Sequence, residues 1–179
     1  MFTEDIDKFD YNYIIICEAI KNSIVLYNNF YKLLYSNMYL TFNGIYILFK
    51  LNYNHIIKDK IFFDTNNNID IINKINAIEE NILNLLIINK EKQLKLKEFM
   101  KNGIIKFTFS DYNTISNNNF KINDLTNNAN NANNANNANN ANNANNVENF
   151  ILKISGIWEN KENIGITFKI INIKNSIII

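Results

Sequence analysis

Catalysis needs titratable or nucleophilic side chains that converge, and this chain supplies few. His55 is its single imidazole, set in the polar stretch LNYNHIIKDK; one ring supports no metal cluster, and the residue reads as an exposed loop histidine. Cys17 sits in the apolar run IIIC with no histidine nearby, the setting of a small buried hydrophobe rather than of a thiolate nucleophile. Gly44, Gly103, Gly156 and Gly165 form neither GxGxxG nor GK[ST], so the backbone cradle for nucleotide phosphates is missing. Glu159-Asn160-Lys161 has the form of the last element of a metal-dependent nuclease, with Asp64 or Asp70 as partner carboxylate. The plainer reading has Glu159 and Lys161 solvating a hairpin turn. No catalytic residue, metal ligand or cofactor is expected.

Binding chemistry has more material. The stretch Phe150–Ile173, FILKISGIWENKENIGITFKIINI, alternates as two strands about a polar turn. One parity holds Phe150, Leu152, Ile154, Trp158, Ile164, Ile166, Phe168 and Ile170, and the other holds Lys153, Ser155, Thr167 and Lys169. A core face and a contact face follow. Lys106, on the outward parity of an earlier strand, joins this set. Tyr27, Tyr31, Tyr35, Tyr39, Tyr46 and Tyr53 interleave with Lys32 and Lys50. Aromatic faces stack bases and lysines follow phosphates, so the pattern suits single-stranded nucleic acid, DNA or RNA. The expected contact residues are Lys106, Lys153, Lys169, Trp158, Tyr31 and Tyr35. The competing reading gives the lysines to solubility or edge protection and Trp158 to the rim of the core.

These residues need elements to hold them. Tyr11–Ile20 reads as a buried first strand, with a helix as the alternative, after a loose acidic lead over 1–10. FYKLLYS and MYLTF follow, and Asn43-Gly44 has the turn chemistry to reverse the chain into IYILFKL. Lys60–Phe63 is a shorter strand, stopped by Asp64-Thr65-Asn66-Asn67-Asn68. Ile71, Ile75, Ile78, Ile82 and Leu85 then recur at helical spacing, which predicts a helix over about 69–88 with Asn68 or Asp70 as its cap and Glu79 and Glu80 off the stripe. A second, lysine-rich helix over about 90–102 ends at Gly103. Ile104–Ser110 returns to alternation, with Ile105, Phe107 and Phe109 facing one way and Lys106 and Thr108 the other.

The fold class is therefore α+β: an antiparallel sheet or OB-like barrel, with two helices inserted between N- and C-terminal strands. The 179 residues, 47% hydrophobic, suit one domain over 11–173, followed by a tail over 174–179. Six Asn-Asn-Ala triplets at about 126–147 offer almost no apolar area to offset the entropy of ordering. They are expected to form a disordered loop.

All eighteen basic residues are lysine and proline is absent, a bias that fits an AT-rich genome. Any anion site must then use point charges, and bidentate readout of guanine is excluded. The net charge of +1 neither marks nor excludes a nucleic-acid partner. A single cysteine and an acidic start without an apolar run predict an intracellular protein, in cytoplasm or nucleus, with a virion as a further location. The uncharged run Leu33–Phe49 is broken by Ser36, Asn37, Thr41, Asn43 and Gly44 and reads as sheet, so no membrane partner is expected.

The order AIKNSI, FYKLLYSNMYLTFNGIYI, IEENIL, FMKNGIIKF and FILKISGIWENKENIGITFKI resembles a small-protein family of nucleocytoplasmic large DNA viruses. LYSN, NGIYI and ISGIWE are its most specific pieces, and the likeness covers about 15–171 apart from the Asn-Asn-Ala tract. More distantly, GIW followed by GITFK is similar to the closing strands of those viruses' OB-fold single-stranded DNA-binding proteins. That resemblance implies coating of DNA in replication or recombination without a cofactor, through Lys153, Trp158, Lys169 and Lys106. The chain ends KNSIII instead of in an acidic tail, which puts tail-mediated partner recruitment in doubt. A structural or assembly protein, acting as a homo-oligomer through protein contacts, is the main alternative; a divergent metal-dependent nuclease is the minor one.

Overall fold

A computed structural model describes residues 3–21, 29–109 and 146–173 of the chain. In chain order its strands are β1 (Glu4–Asp5), β2 (Ile14–Lys21), β3 (Asn29–Ser36), β4 (Thr41–Asn43), β5 (Ile45–Tyr53), β6 (His55–Ile57), β7 (Lys60–Phe62), β8 (Glu91–Lys92), β9 (Ile104–Lys106), β10 (Thr108–Phe109), β11 (Asn146–Glu159) and β12 (Asn163–Asn172). The helices are α1 (Ile69–Asn84) and α2 (Lys95–Lys101). Tyr27, the Asn-Asn-Ala triplets and the tail over 174–179 lie outside the described residues.

The spine of the fold is β11. Its whole second half and part of its first pair antiparallel with β12, from Phe150↔Asn172 to Glu159↔Ile164. Along its other edge β5 and β3 lie end to end: β5 pairs with Asn146–Ile154 and β3 with Gly156–Glu159. Between those two contacts the chain makes a hairpin within the same sheet, Leu34↔Asn43 to Ser36↔Thr41, which turns at Asn37–Leu40. The Asn43-Gly44 pair therefore does not reverse the chain, as the sequence had suggested. Gly44 takes φ +98° and donates its N–H to the Leu33 carbonyl at 2.9 Å, closing the base of the hairpin where β4 runs on into β5. A side chain there would meet the Ile154 carbonyl oxygen at 2.9 Å, so glycine is needed twice over.

The large sheet is mixed and open. β1 pairs parallel with β5, and β8 and β10 pair parallel with β12, while β2 runs antiparallel along β3. The acidic lead thus contributes a short strand instead of lying loose. A second, three-stranded antiparallel sheet has the order β6-β7-β9. The sequence-based expectation of strands around two helices holds; a purely antiparallel sheet does not, and the expected buried first strand, β2, is half-buried to exposed.

Both helices close one face of the large sheet. Ile72, Ile75, Ile78, Ile82 and Leu83 of α1 and Leu96 and Met100 of α2 join a single core with Ile45, Ile47, Phe49 and Leu51 of β5 and the inward residues of β11 and β12. Of the expected α1 stripe Ile75, Ile78 and Ile82 are buried, whereas Ile71 is half-buried and Leu85 lies beyond the helix end and is exposed. Glu79, expected off the stripe, is fully buried. Its carboxylate accepts the Leu96 and Lys97 N–H groups at 3.0 and 2.8 Å, so α1 satisfies the free donors at the start of α2. Burial pushes the Glu79 carboxyl up from its ordinary value, against the lowering effect of those two N–H groups. Asn68 caps nothing; it accepts the Asn52 N–H and donates to the Asn52 and Asp64 carbonyls. The second helix is shorter than expected but ends as predicted, with Gly103 at φ +65°.

Candidate nucleic-acid interface

The β11–β12 hairpin carries one irregularity, and it decides what the outer face displays. Ile154 pairs with Phe168 but Gly156 pairs with Thr167, so Ser155 is an extra residue in β11. A bulge of this kind reverses the parity of everything beyond it. Ile157 and Glu159 therefore turn to the core and are buried, whereas Trp158, expected on the core parity, turns to the lysine face.

That face is a small grid read off the registers. Tyr46, Lys153 and Lys169 form one row, Lys32, Gly156 and Thr167 the next, and Phe30, Trp158 and Gly165 the third. Rows two residues apart lie about 6–7 Å apart along the strands, and neighbours within a row about 5 Å. The glycines are what let the rings lie down. A Cβ on Gly165 would sit 2.5 Å from Trp158 Cζ2, and one on Gly156 would sit 2.4 Å from Phe30 Cζ. Each ring thus rests on bare backbone of the neighbouring strand. The Lys153 ammonium lies 5.0 Å over the Tyr46 ring centroid, a cation–π contact. Beyond this grid Ile151 and Ile171 face one another and are buried, which ends the open surface.

Charge is uncompensated here. Among the described residues the ion pairs are Lys74–Asp7, Lys90–Glu159, Lys95–Glu98, Lys97–Glu80 and Lys106–Asp59; none involves Lys32, Lys153 or Lys169. Lys106 is different. It belongs to the small sheet, opposite Lys60, and its ammonium lies 3.0 Å from Asp59. Its tie to the face is indirect, through a groove of about 450 Å³ along the outer edge of β12 that Lys95, Lys106 and Lys169 share with Phe99, Phe107 and Phe168.

The two tyrosines expected to stack point the other way. Tyr35 is 3% exposed and stacked on Phe9 with 5.5 Å between centroids; burial raises its pKa. Tyr31 turns inward and donates its hydroxyl to Glu159 at 2.8 Å. Burial and that carboxylate raise the Tyr31 pKa. Both leave the contact set, because odd-numbered positions of β3 face the core. Phe30 and Lys32, one residue away, take their place.

Glu159 is not a solvated turn residue. It is 7% exposed and accepts from Asn29 Nδ2 at 2.8 Å, Tyr31 Oη at 2.8 Å and Lys90 Nζ at 2.7 Å. Burial pushes its carboxyl up, but the hydrogen bonds from Asn29, Lys90 and Tyr31 outweigh it and leave the pKa lowered. Every oxygen is thus engaged in tying β3, β11 and the segment before β8 together. Asp64 caps a turn by accepting the Asn66 N–H, and Asp70 opens α1. Among the described residues no group of three His, Cys, Asp or Glu side chains could hold a metal ion. His55 is exposed and stacked on Phe62 with 4.6 Å between centroids, and Cys17 is half-buried on β2. Among the described residues no helix is long and apolar enough to cross a membrane.

No family model, curated protein or solved structure matches the chain.

Proposed function

We propose that the outer face of the large sheet binds single-stranded nucleic acid without sequence preference. The observation that carries this reading is the pair of rings, Phe30 and Trp158, laid flat on Gly156 and Gly165 beside three lysines that have no counter-ion among the described residues. Flat, partly open rings offer π-faces to any base, and stacking is worth about 1–3 kcal/mol per base. Lys32, Lys153 and Lys169 supply the phosphate contacts as point charges, which carry no sequence information. The resemblance to viral single-stranded DNA-binding proteins fits this role in replication or recombination. Closure into an OB-type barrel is not required for it, since a sheet face suffices.

Fluorescence anisotropy of a labelled oligothymidylate tests the proposal. Three phosphate contacts at about −0.7 each give a slope of log affinity against log salt near ~−2. Folded protein that fails to bind at low salt retires the idea.

A second reading has its own observation. The β3–β4 hairpin is uncharged from Leu33 to Gly44, and its tip exposes Met38 (87%), Tyr39 (82%) and Leu40. Asn37 Oδ1 accepts the N–H groups of Tyr39 and Leu40 at 2.9 and 3.0 Å, which fixes the tip. An ordered apolar tip suits a protein contact and favours an assembly role. A stable oligomer by light scattering, indifferent to nucleic acid, supports this reading over the first.

A further inference from the structure

Among the described residues the outer edge of β12 is covered at its two ends and unpaired between them. β8 pairs with Asn163 and Ile164, and β10 pairs with Ile171 and Asn172. The Ile164 carbonyl accepts the Gln93 N–H at 2.8 Å, so even-numbered residues of β12 direct their backbone groups outward and odd-numbered ones toward β11. Ile166 and Phe168 thus present N–H and C=O groups to the edge, and these have no partner among the described residues. The groove of about 450 Å³ runs along this interval. Its floor on the core side is apolar, with Phe99 and Phe168 edge to face at 6.2 Å. On the other side stand Thr167 and Lys169. Lys95 and Lys106 border the groove with their own counter-ions, Glu98 and Asp59; Lys169 has none among the described residues.

We propose that this gap accepts a short extended peptide of a partner protein as an added strand, with apolar side chains on alternate positions and a carboxylate between them facing Lys169. Three features fix that chemistry. Free backbone donors and acceptors in an apolar-walled groove are matched by another backbone in extended form. The alternation of a strand sends one set of side chains onto Phe99 and Phe168 and the other set toward Lys169. The single uncompensated ammonium selects an acid for that second set. The proposal shares Lys169 with the nucleic-acid reading but rests otherwise on the backbone groups of Ile166 and Phe168, so the two methylation patterns and the amide exchange test it apart from that reading.

The test uses the full chain and the labelled pentapeptide acetyl-Leu-Asp-Val-Glu-Val-amide. Binding by anisotropy is expected, with exchange of the Ile166 and Phe168 amide protons slowed at least tenfold in the complex. Methylating the peptide nitrogens that face the edge is expected to abolish binding, while methylating the alternate nitrogens leaves it within about threefold. Lys169→Glu is expected to weaken binding at least tenfold with an unchanged circular dichroism spectrum. No binding at millimolar peptide, equal effects of the two methylation patterns, or amides at 166 and 168 already protected in the free protein would each overturn the proposal.

Discussion

Gly165 is where the candidate site is most sensitive to a single atom. Gly165→Ala puts a methyl group 2.5 Å from Trp158 Cζ2, so the ring must lift off the strand. The expected result is weaker oligonucleotide binding, by about 1–3 kcal/mol or roughly 5- to 150-fold, with a changed Trp158 emission spectrum and an intact fold; equal affinity would show that the flat ring is not used. Glu159 makes a separate, pH-dependent statement. Its lowered pKa means that its stabilisation is present above the ordinary carboxylate value of 4.5 and is lost as pH falls through the folded value. Glu159→Ala should therefore cost about 3 kcal/mol at neutral pH, leaving Lys90 without its partner, and the cost should shrink toward pH 3, as read from urea midpoints at the two pH values. Glu79 works in the opposite sense, since its raised pKa makes its contribution fall as pH rises through the folded value. Of the expected contact residues, Lys153 and Lys169 were legible from alternation alone and stand directly opposite each other. Phe30 and Lys32 were missed because the tyrosines beside them drew attention to the wrong parity of β3. The signal that could have found them is Lys32 itself, whose charge marks the even positions of β3 as the outward set.

Among the elements, the two that departed from expectation did so for one physical reason: local patterns fix a strand but not how it bends. Nothing in ISGIWE shows from alternation that Ser155 is the extra residue, although Gly156 and the apolar Ile157 are consistent with a bulge. Asn43-Gly44 has hairpin chemistry, yet the same left-handed glycine also serves a strand that changes partner, and the real turn at Asn37–Leu40 is built by an asparagine side chain. Helix α1 starts where expected and ends at Asn84, short of the expected 88; Ile75, Ile78 and Ile82 of its expected stripe are core, and Glu79 joins them with its carboxylate on the start of α2. The end of β12 holds a further conflict. Asn172 is fully buried against Phe150, and neither polar atom of its amide has a hydrogen-bond partner among the described residues. Asn172→Leu is expected to raise stability by about 1–2 kcal/mol in denaturant unfolding. A loss of stability would mean that the amide is bonded to ordered water.

For the whole molecule, the near-neutral charge says nothing of where the lysines stand. Five are matched by carboxylates among the described residues, and Lys32, Lys153 and Lys169 are three of the others that share one face. Composition alone could not show this, because it depends on which strands become neighbours. The β3–β4 hairpin makes the opposite demand, for a protein contact. Met38→Ser with Leu40→Ser is expected to leave oligonucleotide affinity within about twofold and to dissociate any oligomer seen by light scattering, which separates the hairpin from the face. Trp158 is the chain's single tryptophan, so emission excited at the red edge of its absorption, beyond that of the nine tyrosines, reports on this ring of the proposed interface. The most direct measurement is a titration of that emission with oligothymidylate at low salt and again at high salt. Quenching that saturates together with anisotropy and disappears at high salt is the expected result; nucleic-acid binding that leaves Trp158 emission unchanged would contradict a site built on this face.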